Sequence, residues 1–323
     1  MRIPEFFILG GIRCGSTSLG MYLRGHPRIF VAPDEPRFFS TDLVPGQGPG
    51  LSEADYLALF TEAGERHLAV GETSPFYLYS KVAVPNILRF NPQARFFVLL
   101  RSPVDMLQSL HARYLHGGQE DLVDLEEAWR LQDERQAGRH LPRFCYEPKE
   151  LHYGNCCRLG AQLARLYQRV PRERVHLIFY DDLKARTKEV YEAALAFLGV
   201  PSDGRERFPV YERSSKRRWP RLNRLVLGVG KMKAALGIDL NLGLATPLDR
   251  LNTVPTRRTA LRPEFRRELV DYFRDDVRLL EELTGRNLGH WLDGDTADPQ
   301  ASRGPAAAPV QESPGIYRAP VSS

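Results

Sequence analysis

Phe6-Phe7-Ile8-Leu9-Gly10-Gly11-Ile12-Arg13-Cys14-Gly15-Ser16-Thr17-Ser18-Leu19 reads as a short buried strand, a glycine-bracketed loop and the first turn of a helix. Such a loop can aim several backbone N–H groups and a helix N-terminus at a phosphate. It nearly fits the P-loop pattern of two glycines four residues apart, followed by Lys and then Ser or Thr. Ser16 stands where the lysine belongs, and Arg13 is the one cation of the loop.

That departure separates the chain from nucleotide triphosphatases, which need the lysine on the β- and γ-phosphates where charge builds up. The second requirement of such enzymes is a strand ending in an aspartate that holds magnesium. The most apolar later run, Arg95-Phe96-Phe97-Val98-Leu99-Leu100, reads as a buried parallel strand but ends in Arg101. An arginine there repels a metal and attracts a second phosphate. A P-loop kinase or NTPase is therefore the alternative reading, and both of its chemical anchors are missing.

Four segments resemble the sulfotransferases that use 3′-phosphoadenosine 5′-phosphosulfate, most closely the bacterial carbohydrate-type and heparan sulfate members. Gly11 to Leu19 is similar to the family's 5′-phosphosulfate loop. Asp34-Glu35-Pro36-Arg37-Phe38-Phe39-Ser40 is similar to the segment that carries the catalytic base. Gly71-Glu72-Thr73-Ser74-Pro75-Phe76-Tyr77-Leu78 resembles a recurrent stretch after the family's second strand. Arg101-Ser102-Pro103, with Ser109 eight residues beyond the arginine, resembles the 3′-phosphate motif. The run from Leu261 to Trp291 is similar to the closing helix. The resemblance spans residues 5–291.

The resemblance implies a set of roles. Glu35 and Arg13 are the expected catalytic residues. Donor contacts are expected from Arg13, Cys14, Gly15, Ser16, Thr17, Ser18, Arg101 and Ser109, and from Lys216 and Arg217 in the basic run Arg213 to Arg221. Glu72 is either a core-edge carboxylate or a candidate acceptor contact. His111 is a weaker rival base, of the kind relatives acting on phenols and steroids use. The implied co-substrate is 3′-phosphoadenosine 5′-phosphosulfate, the acceptor a carbohydrate, glycolipid or other small hydroxylated molecule, and no metal is required. Two positions depart from the family: Arg13 replaces Lys, and Arg37 replaces His. Arg13 keeps the charge as a planar fork, whereas Arg37 puts positive charge beside Glu35 and would weaken it as a base. A catalytically silent nucleotide-binding homologue is the reading that follows if both substitutions are costly.

Composition agrees with an α/β enzyme. The 323 residues, 42% hydrophobic, suffice for one large domain or for two small ones. Net charge is +5 with a pI of about 9.0. The arginines are widely spread, which suits a polyanionic small molecule rather than nucleic acid. Cys14, Cys145, Cys156 and Cys157 form no C-x-x-C pair, which argues against a zinc site and for a reducing compartment. A first strand beginning by Glu5 leaves no room for a signal peptide, and no apolar run approaches the ~20 residues of a spanning helix. A cytoplasmic location is expected.

Strand and helix patterns alternate along the chain. Helices are expected over 16–24, 52–63, 82–90, 103–115, 125–137, 155–169 and 187–198, and strands over 29–31, 67–72 and 175–180, besides the two already quoted. This alternation predicts a single P-loop-type domain over 1–291, a parallel sheet with helices on both faces. An insertion over 117–150 is expected near the acceptor cleft. Residues 222–245 are apolar with scattered lysines, suited to core packing or a membrane surface. Residues 292–323 are expected to be a disordered tail.

Overall fold

The computed structural model describes residues 2–43, 50–209, 211 and 260–293, together with the backbone of 215–217 and 253–255. Five short strands, β1 (Phe6–Gly10), β2 (Ile29–Val31), β3 (Ala69–Thr73), β4 (Arg95–Leu100) and β5 (Val175–Phe179), pair in parallel in the order β2-β3-β1-β4-β5. Every residue of β1 and β3 is buried, as in a parallel sheet covered on both faces. Register is set by aromatic pairs: the ring of Phe6 meets Phe97 edge-on, and Phe7 stacks on Phe96. β1 runs from Phe6 opposite Arg95 to Gly10 opposite Leu99. The chain leaves β1 toward β2 on one side and reaches β4 on the other. The carboxyl ends of β1 and β4 thus form a switch point, where open α/β sheets bind ligands.

The helices follow the expected alternation. They are α1 (Ser16–Arg24), α2 (Glu53–Ala58), α3 (Ala83–Phe90), α4 (Pro103–Gly117), α5 (Leu125–Arg130), α6 (Gln132–Gln136), α7 (Tyr153–Cys157), α8 (Leu159–Tyr167), α9 (Tyr180–Ala185), α10 (Thr187–Leu198) and α11 (Pro263–Thr284). Three are shorter than their patterns. The 52–63 stretch is helical only to Ala58, because the N–H groups of Leu59, Phe60 and Thr61 bond three residues back in tight turns. Residues 125–137 divide at Leu131. Residues 155–169 divide at Arg158, whose backbone leaves the helical region at ψ 75°. There the Asp276 carboxylate of α11 accepts from the N–H groups of Gly160 and Ala161 at 2.8 and 2.9 Å and starts α8 afresh.

The chain divides into two compact units. The first holds the sheet and comprises residues 1–106, 155–212 and 263–323. The second comprises 107–154 and 213–262, so it takes in the whole 117–150 stretch. Within it, Arg135 and Glu120 form an ion pair, both nearly solvent-free, and Tyr153 donates to Glu120 at 2.7 Å. Removing one partner of such a pair costs ~3–5 kcal/mol. Tyr114 donates to Glu150 at 3.1 Å. β6 (Ser215–Arg217) pairs antiparallel with β7 (Thr253–Pro255). No helix among the described residues is long and apolar enough to cross a membrane. Residues 222–245 and 294–323, given particular expectations above, lie outside the described residues.

Candidate active site

Gly10, at the end of β1, has φ 147°, and a Cβ there would overlap the Leu99 carbonyl of β4. The glycine therefore lets the strand stay paired up to the point where the loop departs. Arg13 (φ 68°) and Gly15 (φ 95°) are both left-handed. Residues of that hand in a tight turn point successive N–H groups into one concavity, a ready anion cradle. Gly15 directly precedes α1, and a Cβ there would lie 2.6 Å from Leu183 and 3.3 Å from the Tyr180 ring. The first turn of α1 carries no acidic residue, so its positive end and its N–H groups at Ser16, Thr17 and Ser18 face no neutralising carboxylate from that turn.

Side chains of the loop divide by burial. The Cys14 thiol is solvent-free, 3.9 Å from the Met106 sulfur, and burial pushes it up to about 12. Cys14 can offer a ligand only its backbone. Ser16 is buried, while Arg13, Thr17 and Ser18 are half-buried.

Arg101 follows β4 at the switch point and is 4% exposed. Its Nη1 donates to the Arg13 carbonyl at 2.7 Å, and its guanidinium lies 4.2 Å over the Tyr180 ring. Its Nε is buried and has no hydrogen-bond partner among the described residues. An orphaned donor on a charged group costs more than the ~1–3 kcal/mol of a neutral one. Arginine, loop and helix end thus converge as an anion site with one donor still to be satisfied, which fits a phosphorylated ligand.

The Glu35 segment is pinned by its neighbours. Glu35 is half-buried beyond the carboxyl end of β2. Arg37, which the sequence placed as a charge beside Glu35, is left-handed at φ 52°, with its guanidinium 3.8 Å over the Phe76 ring. Phe38 stacks on Tyr56 at 4.4 Å, and Phe39 packs against Phe7, Tyr77 and Phe90. Asn86 donates to the Phe39 carbonyl at 2.9 Å. Glu72, the candidate acceptor contact, is fully buried on β3. Its burial favours the core-edge alternative over an acceptor contact.

Ser109 and His111 lie on the part of α4 that belongs to the second unit, and both are buried. The His111 Nε2 is 2.9 Å from the Leu122 carbonyl oxygen, and burial lowers its proton affinity. Lys216 and Arg217 stand on β6, and their side chains lie outside the described residues.

Among solved structures, a sulfotransferase from Alicyclobacillus acidocaldarius superposes with a TM-score of 0.66 at 27% identity, over 90% of this chain and 99% of that one. In fold and in sequence the chain is similar to sulfotransferases. The membrane-associated sulfotransferase kil1 of Dictyostelium discoideum is 28% identical over 104 residues, 32% of this chain. The match spans only 21% of that protein's length. The sulfotransferase domain of the curacin biosynthetic pathway matches 63% of this chain and 77% of its own at 18% identity, with a TM-score of 0.43. No family model matches the chain. This likeness supports sulfuryl transfer in general.

Proposed function

We propose that the chain moves a sulfuryl group from 3′-phosphoadenosine 5′-phosphosulfate to a hydroxyl of a carbohydrate, glycolipid or other small molecule. The observation that carries this reading is the buried Arg101 at the switch point, bonded to the Arg13 carbonyl with its Nε still without a partner. A second phosphate, held apart from the loop, is what distinguishes this donor from ATP, and an arginine in place of the metal-holding aspartate suits it.

When bound, the donor supplies a sulfuryl group activated by its link to phosphate. Glu35 takes the proton of the acceptor hydroxyl, whose oxygen forms the new bond to sulfur. The bond from sulfur to the bridging oxygen breaks, and the electron pair stays on that oxygen. Arg13 and the N–H groups of Gly15, Ser16 and Thr17 stabilise the charge appearing there, as preorganised donors do at an oxyanion. Arg101 holds the 3′-phosphate. Products are the sulfate ester and adenosine 3′,5′-bisphosphate.

Release of the bisphosphate, followed across a panel of hydroxylated acceptors, tests the reading. Glu35→Ala is expected to slow release ~10²–10⁴-fold, the usual range for a lost general base, while donor affinity holds. Equal rates in the two proteins would remove Glu35 from the chemistry. Failure of every acceptor in the wild type would leave a silent binding homologue.

A further inference from the structure

We infer that Glu72 is a positioning residue, which holds the backbone of the Glu35 segment in place through the hydroxyls of Ser74 and Tyr77. The inference rests on the reading of Glu35 as the base, and it concerns residues that reading does not use.

Glu72 is fully buried, yet its carboxylate is not surrounded by cations. It accepts from three hydroxyls: Tyr56 at 2.7 Å, Ser74 at 2.9 Å and Tyr77 at 3.1 Å. Two of these have a second bond in common. The Ser74 oxygen accepts from the Arg37 N–H at 3.2 Å, and the Tyr77 oxygen accepts from the Phe39 N–H at 3.3 Å. Each hydroxyl therefore turns its proton toward Glu72 and its lone pair toward the segment. The two carboxyl oxygens of Glu72, which accept all three bonds, set that orientation. Without them, either proton could rotate toward the N–H group it now serves, and the segment would lose its anchor.

The anchored residues are the ones that need anchoring. Arg37 holds a left-handed backbone without being glycine, a conformation that persists where its surroundings enforce it. The Ser40 N–H and hydroxyl both donate to the Arg37 carbonyl, at 3.1 and 2.8 Å. The N–H of Arg37 is met from the other side by Ser74. Glu35 lies two residues upstream of this fixed point. The third hydroxyl, Tyr56, stacks on Phe38, so all three partners of Glu72 touch the segment by bond or by ring.

Glu72→Gln replaces one accepting oxygen by an amide that donates, so at least one of the three hydroxyls must rotate. Ser74→Ala and Tyr77→Phe each remove one relay and leave Glu72 in place, and they carry the test should Glu72→Gln not fold. Two readouts are used on the full chain. Amide hydrogen exchange, resolved over residues 35–40, is expected to quicken at least tenfold for Arg37 in Ser74→Ala and for Phe39 in Tyr77→Phe, and for both in Glu72→Gln. Bisphosphate release is expected to lose at least tenfold in kcat in each variant, with the donor KM unchanged. Unchanged exchange at both amides, or unchanged kcat beside a Glu35→Ala that is inactive, would overturn the inference. Faster exchange with a Glu35→Ala that is fully active would sustain the anchoring but refute Glu35 as the base.

Discussion

At the residue scale, the molecule places unlike charges according to what each must meet. Arg101 is buried against a ring and a carbonyl and retains a donor for a ligand. Glu72 is buried among hydroxyls, and burial, opposed by those hydroxyls and reinforced by the charge of Glu35, pushes it up to about 7 from 4.5. The titratable groups facing it are Tyr56, Tyr77 and Glu35. The sign of the pH dependence follows. Between 4.5 and about 7 the folded protein keeps a proton that the unfolded chain releases, so rising pH weakens the fold across this window. Fully expressed, the effect is on the order of 3 kcal/mol at 1.36 kcal/mol per pH unit. Denaturant unfolding at pH 5 and pH 8 is expected to show this loss in the wild type and not in Glu72→Gln. A parallel pH dependence in both proteins would assign it elsewhere.

At the element scale, two glycines separate binding from folding. Gly15 sits left-handed ahead of α1, with Leu183 and Tyr180 where a side chain would go. Gly15→Ala is expected to destabilise the fold by ~1–3 kcal/mol through strain and overpacking, and to weaken anion binding more than tenfold by turning the cradle. Gly160 starts α8 beneath α11, and a Cβ there would overlap the Asp276 carbonyl. Gly160→Ala is expected to cost a similar amount of stability, read by thermal unfolding, and to leave bisphosphate affinity intact once folded. The strands and long helices were legible from sequence because apolar runs and 3.6-residue spacing report burial directly; α10 ends at Gly199, left-handed at φ 72°, where its pattern stops. The breaks at Leu131 and Arg158 were not legible, since the second depends on a carboxylate from α11, more than a hundred residues away. For Glu72 the core-edge position was among the sequence alternatives, but the Tyr56 bond from α2 could not be read from spacing alone. The loop and Arg101 each directly follow a recognisable strand, whereas the roles given to them and to Glu35 rest on the family resemblance.

At the scale of the whole molecule, the sheet order decides what the residues can do. The central β1 and its neighbour β4 send the loop and Arg101 to the same edge of the sheet, and the hydrogen bond between Arg101 and the Arg13 carbonyl joins them. The Glu35 segment, beyond β2, is tied to the same edge by contacts with Ser74 and Tyr77 beyond β3. The proposed donor would use this arrangement through the loop and Arg101, with Glu35 reaching the same edge from beyond β2. The central claim is the identity of that donor, and calorimetric binding of adenosine 3′,5′-bisphosphate, beside ATP with magnesium, tests it most directly. The account predicts selective binding of the bisphosphate, lost by more than tenfold in Arg101→Ala. Preference for ATP, or bisphosphate binding indifferent to Arg101, would contradict it.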